Sequence, residues 1–212
     1  REWAPGEVTA SGYAYVTRAL KRGQSLDQAV EIFRGDKADV SAGRGVLRDI
    51  DGHYVMDTSY RGLDFFNTEQ AFYPDGQKVV LPFPTTAAFS AYYKGQAVYQ
   101  LKSDWTSAKG TVFHNGAVIA FDLKAALADP AHVEPTVLFM PNPHQSVESV
   151  SQTKTRLILS ILSNVTGEAR SFDFGPKGWS SFKLALPENS TLSVTSTDAE
   201  SDRLFVFSDG FL

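Results

Sequence analysis

Short apolar or alternating runs recur along the chain, each closed by turn residues about every ten positions, which is the pattern of an all-β protein. The clearest runs cover residues 13–17, 29–33, 53–58, 97–101, 117–121, 156–162, 181–186 and 204–207, and each has the length of a strand. Between them stand Asp51-Gly52, Asp75-Gly76, Lys94-Gly95, Asn115-Gly116 and Gly175-Pro176, pairs whose left-handed or proline-fixed backbone suits tight hairpins. Helix is expected in two places only: one turn at 25–28, and a short helix at 123–128 that Pro130 stops.

A looser period lies over this pattern. Runs beginning at or near Tyr54, Val98, Leu157 and Leu204 are separated by 44, 59 and 47 residues, and each belongs to a segment that reads turn, apolar strand, polar turn, second strand. Four-stranded propeller blades take about 40 to 50 residues, so the spacing predicts a partial β-propeller of about four blades, the outer ones incomplete. The longer interval is assigned an insertion at 125–135. Pattern alone admits a β-sandwich or a barrel as well.

Composition narrows the chemistry. The 212 residues are 42% hydrophobic, 21% charged and 12% aromatic, which describes a globular chain, and a net charge of -4 gives no electrostatic footprint for nucleic acid. Cysteine is absent, which removes disulfides, thiolate nucleophiles and Cys-ligated metals. No apolar run reaches the roughly 18 residues of a membrane-crossing helix. The first residues, Arg1-Glu2-Trp3-Ala4-Pro5, carry neither an initiator Met nor a signal-peptide core, so the chain reads as an excised segment of a longer protein, with a cytoplasmic location expected and a periplasmic one open. At the other end Ser208-Asp209-Gly210 reads as a turn before Phe211-Leu212. The sequons at Asn164 and Asn189 are read as chance.

The phrase at 11–23, Ser-Gly-Tyr-Ala-Tyr-Val-Thr-Arg-Ala-Leu-Lys-Arg-Gly, runs on through 24–35 to Ile32-Phe33-Arg34-Gly35. It resembles the propeller segment of bacterial prolyl oligopeptidases, where a Ser-Gly-Tyr strand leads to a Lys-Arg-Gly turn and then to a phrase ending apolar-Phe-x-Gly. The likeness continues at Asp64-Phe65-Phe66-Asn67-Thr68-Glu69, Leu101-Lys102-Ser103-Asp104-Trp105, Ala120-Phe121-Asp122-Leu123 and Leu186-Pro187-Glu188-Asn189-Ser190-Thr191. One departure is Ala14, where many relatives carry Pro. The resemblance implies a two-domain serine peptidase that hydrolyses short Pro-containing peptides: an α/β-hydrolase domain bearing a Ser-His-Asp triad, and a seven-bladed propeller that covers it and filters substrates. The present chain resembles the propeller alone, as a fragment over 1–212. The implied partners are the α/β-hydrolase domain and short peptides, with neither nucleic acid nor membrane.

No residue of the chain has the context of a hydrolase nucleophile. The expected elbow is Gly-x-Ser-x-Gly, and the nearest phrase, Gly178-Trp179-Ser180-Ser181-Phe182, lacks the second Gly. His53, His114, His132 and His144 lack metal-site spacing, Gly43-Arg44-Gly45 is a strand bend rather than a phosphate loop, and Asp49 with Asp51 belongs to a turn. Asp104-Trp105 is read as a turn that buries an indole. Trp3, Trp105, Trp179, Phe65 and Phe66 are candidates for an aromatic peptide-binding surface, against the plainer reading that they pack between blades. No catalytic, cofactor-binding or metal-binding residue is assigned, no cofactor is expected, and the isolated chain is expected to be inactive. The competing functions are a freestanding propeller-like interaction module and an all-β glycosidase-like enzyme. A cut ring leaves apolar blade faces at both ends, so self-association of the fragment is also expected.

Overall fold

A computed structural model describes residues 3–210, which fold almost entirely as antiparallel strands in successive sheets. A two-stranded hairpin comes first: β1 (Val16–Ala19) and β2 (Val30–Arg34). A four-stranded sheet follows, with β3 (Ser41–Arg48), β4 (Tyr54–Gly62), β5 (Thr68–Tyr73) and β6 (Val79–Val80) paired in chain order. The next begins with β7 (Ala88–Tyr93) and β8 (Gln96–Gln100), lets out a small hairpin of β9 (Trp105–Thr106) and β10 (Val112–Phe113), and finishes with β11 (Val118–Asp122) and β12 (Thr136–Phe139). The last complete sheet is β13 (Gln145–Gln152), β14 (Leu157–Ser163), β15 (Thr166–Gly175) and β16 (Gly178–Lys183). A closing hairpin, β17 (Ser190–Thr197) and β18 (Leu204–Gly210), packs on β14 and β15. The architecture is thus a run of three complete up-and-down propeller blades between two half-blades.

The blades stack through the two faces of their central strands. Ala97 and Tyr99 of β8, with Ile119 and Phe121 of β11, turn one way to meet Phe72 and Leu81 of the preceding blade. Val98, Val118 and Ala120 turn the other way onto Leu157, Leu159, Ile161 and Phe172 of the following one. Because side chains alternate along a strand, burial of both faces makes β8, β11 and the first half of β14 apolar at successive positions. Small residues set the seam to the final hairpin: a Cβ at Gly167 would stand 2.4 Å from Leu192 Cβ.

The repeat spacing has a structural meaning. Tyr54, Leu157 and Leu204 open the second strands β4, β14 and β18, and Val98 lies in the second strand β8. All five expected turn pairs sit at strand-to-strand connections, with Gly52, Gly76, Gly95 and Gly116 at positive φ. The single α-helix among the described residues, α1 (Leu123–Ala128), lies where expected, its first turn capped by Asp122, whose Oδ1 accepts from the Ala125 amide at 2.7 Å. A 3-10 turn occupies Leu26–Gln28.

Several expectations need correction. Ser208, Asp209 and Gly210 continue β18 by pairing with Leu192, Thr191 and Ser190, so they form strand rather than turn. The run at 181–186 is split, since β16 ends at Lys183 and the remainder crosses to the next sheet. The first strand begins at Val16 rather than at Tyr13. The extra length of the 59-residue interval is shared between the β9–β10 hairpin and the α1 segment rather than lying at 125–135 alone. Phe211 and Leu212, like Arg1 and Glu2, lie outside the described residues.

Apolar side chains do stand open on the half-blades: Val30 and Ile32 on β2, and Phe205 and Phe207 on β18.

Candidate functional site

In an up-and-down blade the turn from second to third strand emerges at the same end as the crossover to the next blade, and this divides the molecule into two rims. At the crossover rim the connection from β6 to β7 reaches the β4–β5 turn, where the Thr68 amide donates to the Thr85 carbonyl at 2.7 Å and Thr85 Oγ1 donates to Asn67 Oδ1 at 2.6 Å. One blade further, the Asn164 amide in the β14–β15 turn donates to the His144 carbonyl of the β12–β13 crossover. The crossover into β3 is pinned by the buried Asp39, which takes a two-pronged contact from Arg61 Nε and Nη2, both at 2.8 Å. Arg61 holds this carboxyl below the usual carboxylate range.

Apolar groups project from this rim. Phe65 is 89% exposed and Phe66 77%, their rings in edge contact with centroids 5.0 Å apart. Their exposure is built in. Asp64 Oδ1 accepts from the amides of Phe66 and Asn67 at 2.8 Å, and Asn67 Nδ2 donates to both Asp64 oxygens. Such a turn fixes the backbone without needing the rings to pack. Beside the pair opens a cavity of about 750 Å³, lined also by Thr86, Ala87, Phe89 and Lys102. Further along the rim Val165 is 68% exposed at φ 65°, a left-handed backbone that costs a β-branched residue about 1 to 2 kcal/mol.

The opposite rim carries charged groups paired within and between neighbouring blades. Tyr93 Oη lies within hydrogen-bond reach of both the Thr155 carbonyl and Asp173 Oδ1, its one proton shared between them, and Lys94 Nζ reaches the same carboxylate at 2.6 Å. Burial works to raise the Asp173 pKa, but hydrogen bonds from Lys94 and Tyr93 prevail and hold it low. Asp202 accepts from Thr155 Oγ1 at 2.6 Å, the Thr155 amide at 2.8 Å and Thr153 Oγ1 at 2.8 Å, and these donors also hold it low. Carboxylates kept this acidic are fixed charges that join neighbouring blades, and poor proton carriers near neutrality. None of these pairings is visible in the sequence, since the partners stand 47 to 80 residues apart.

The residues singled out from the sequence do not converge. Ser180 lies within β16, paired with Asp173 of β15, and not on a strand-to-helix turn. His53, His114 and His132 sit in separate turns, each with Nδ1 against a nearby aspartate: Asp49 at 3.1 Å, Asp104 at 3.2 Å and Asp129 at 2.9 Å. Asp49, Asp51 and His53 cluster in the β3–β4 turn, but Asp49 is engaged in the turn itself, accepting from the His53 amide. Gly43-Arg44-Gly45 lies in β3, the edge strand of its blade, and Arg44 pairs with Asp57 at 2.7 Å and covers the Tyr73 ring. The aromatic candidates divide. Trp105 packs on Phe83 and Phe113 and donates to the Pro82 carbonyl, Trp179 stacks on Tyr93 and leans against Phe174, and Trp3 donates to the Val16 carbonyl. Phe65 and Phe66 stand in the open instead.

Comparison with known proteins agrees with this geometry. Residues 1–212 match the family model described as the prolyl oligopeptidase N-terminal β-propeller domain. The chain is 82% identical over 216 residues to a protein of Sinorhizobium fredii named uncharacterized peptidase y4nA, covering all of this chain and 30% of that protein. Among solved structures, a post-proline cleaving enzyme from Rickettsia typhi superposes with a TM-score of 0.87 at 21% identity, over 98% of this chain and 31% of the other. Oligopeptidase B from Trypanosoma brucei superposes with a TM-score of 0.58 at 15% identity, over 89% of this chain and 26% of that one. At these identities the structural likeness shows the fold. The chain spans about a third of the length of the relatives it matches.

Proposed function

The chain belongs to the prolyl oligopeptidase family, as part of its N-terminal β-propeller domain, and we propose that it serves a longer serine peptidase as the portion that filters substrates by size. The observation that carries the reading is the match of the whole chain to the propeller model, joined to blades that are cross-braced at their seams. A braced ring admits short, extended peptides to an enclosed site and turns away folded chains. The triad is assigned to the remaining two thirds of the protein, in an α/β-hydrolase domain, and short Pro-containing peptides are its substrates. The open faces of the half-blades meet further blades in the whole protein, and in the chain taken alone they drive association.

The test is a series of nested Pro-containing peptides of increasing length, cleaved by the full-length peptidase. The filter predicts that kcat/KM falls with length, and that Asp173→Ala, which loosens one seam, raises cleavage of the long peptides while leaving the short ones unchanged. Equal cleavage at all lengths would remove the filtering role. A freestanding interaction module is the competing reading, and a peptidase of full family length without serine-dependent cleavage would favour it.

A further inference from the structure

We propose that the cleft between the α1 segment and the β15–β16 turn, on the rim opposite the crossovers, binds an organic cation: an ammonium or guanidinium group carried on a short apolar stem. Gln96 and Asp122 hold the cationic head, and Trp179 lines the path of the stem. The inference does not depend on the filtering role.

The cleft has a volume of about 800 Å³, within the range of small-molecule sites. Trp179, stacked on Tyr93 with ring centroids 5.7 Å apart, gives it an aromatic wall, and Phe174 stands beside the indole. The lining carries the carboxylates of Asp122, Asp129 and Glu134 and holds neither Lys nor Arg.

Gln96 is the observation that points to a ligand. It is 6% exposed and lines the cleft, yet its carboxamide makes no hydrogen bond among the described residues. Buried polar groups in folded proteins almost always have a partner, so a lone one facing a cavity calls for a ligand. Its direction follows from the strand. Positions 96, 98 and 100 share one face of β8; Val98 packs on the following blade, and Gln100 Nε2 donates to the Val147 carbonyl there at 3.2 Å. Gln96 is thereby turned toward the blade that carries Trp179. Asp122 is its direct partner across the β8–β11 ladder, which sets the carboxamide and the carboxylate side by side. Asp122 Oδ1 caps α1 by accepting from the Ala125 amide, while Oδ2 has no donor among the described residues. A carbonyl oxygen next to a carboxylate oxygen is a pair of acceptors, which suits a head group with several N–H donors and a positive charge. The acids of the lining do not converge as metal ligands do; among the described residues that spacing occurs at Asp49, Asp51 and His53. Spread acids, an aromatic wall and a buried acceptor pair therefore fit an elongated organic cation better than a metal ion.

The test is calorimetric titration of the full-length protein with butylguanidinium, and with butylurea as its neutral counterpart of the same shape. Butylguanidinium is expected to bind saturably with a Kd of about 1 mM or tighter, and butylurea at least tenfold more weakly, the scale of a lost charge-assisted hydrogen bond. Gln96→Met and Asp122→Asn, the second of which keeps a capping side chain, should each weaken binding by about tenfold. Asp75→Asn, which removes a carboxylate from a distant turn, should leave it unchanged. A second measurement needs no variant: butylguanidinium should slow amide hydrogen exchange in residues 122–134 and 174–179 and leave 49–53 unaffected. Agmatine and an acetylated, amidated Gly-Arg-Gly peptide then separate the sources of the cation, tighter binding of agmatine marking a free small molecule and tighter binding of the peptide a basic side chain. Equal binding of butylurea would reduce the cleft to an apolar hole. Absence of saturable binding, an equal loss in Asp75→Asn, or protection only outside the cleft would each overturn the proposal.

Discussion

Tyr93 and Asp173 stand 80 residues apart in the chain and 2.8 Å apart in the fold, Tyr93 Oη donating to Asp173 Oδ1 across the seam between two blades. The same proton is shared with the Thr155 carbonyl, and Asp202 ties Thr153 and Thr155 to the final hairpin. One chain of hydrogen bonds therefore joins two complete blades and the closing half-blade. Tyr93→Phe keeps the ring and its stacking on Trp179 but leaves the Thr155 carbonyl without this donor. Chemical denaturation is expected to show a loss of about 1 to 2 kcal/mol, and a change below a few tenths would show that the seam does not depend on this bond.

The acid dependence of stability follows from the same carboxylates. Arg61 lowers the pKa of Asp39, and the Thr155 hydroxyl and amide lower that of Asp202. A folded pKa below the unfolded value of about 4 gives stability that is fully present above that value and is lost as pH falls through the folded one. Thermal melting is expected to stay level from about pH 5 to 7 as far as these two groups are concerned and to drop below about pH 4. Asp39→Asn and Asp202→Asn should each shrink that acid drop. A drop that keeps its full size in both variants would exclude these two groups as its cause.

Gly167 is fixed by contact rather than by backbone angle, because a Cβ there would meet Leu192 Cβ at 2.4 Å and the Leu192 amide nitrogen at 2.5 Å. Gly167→Ala is expected to cost about 1 to 3 kcal/mol and to expose the β17–β18 hairpin to proteases. Gly175→Ala, at a position with open space around the added carbon, is the comparison and should change stability by less than about 0.5 kcal/mol. Equal effects at the two sites would contradict the packing at this seam.

The open half-blades give an expectation for residues 1–212 expressed alone. Val30 and Ile32 at one end and Phe205 and Phe207 at the other are water-facing, and burying them favours association. Light scattering should report dimers or larger species at micromolar concentration, weakened by Phe205→Ser with Phe207→Ser. A monodisperse monomer at high concentration would show that the ends are stable uncovered.

The sequence revealed the strands whose two faces are both buried, because packing on each side favours apolar residues at successive positions. Residues 97–101, 117–121 and 157–162 were legible for that reason. The strand β13, Gln-Ser-Val-Glu-Ser-Val-Ser-Gln, and β17, Ser-Thr-Leu-Ser-Val-Thr-Ser-Thr, were not, since each lies at a sheet edge and takes its order from the neighbour it pairs with. The helix at α1 was readable from a local cap and a local stop, Asp122 and Pro130. The bracing network was hidden because Tyr93, Thr155, Asp173 and Asp202 share no local pattern. Phe65 and Phe66 were visible as a pair, but an apolar pair looks the same in sequence whether it fills a core or faces water.

The central claim is that this chain is the filtering, noncatalytic portion of a serine peptidase, and covalent labelling of the full-length protein tests it most directly. A fluorophosphonate probe reacts with an activated serine, and peptide mapping locates the modified residue. The account predicts stoichiometric labelling of one serine outside residues 1–212, together with loss of cleavage of a Gly-Pro substrate. Stoichiometric labelling within residues 1–212, at Ser180 or any other serine, would contradict it.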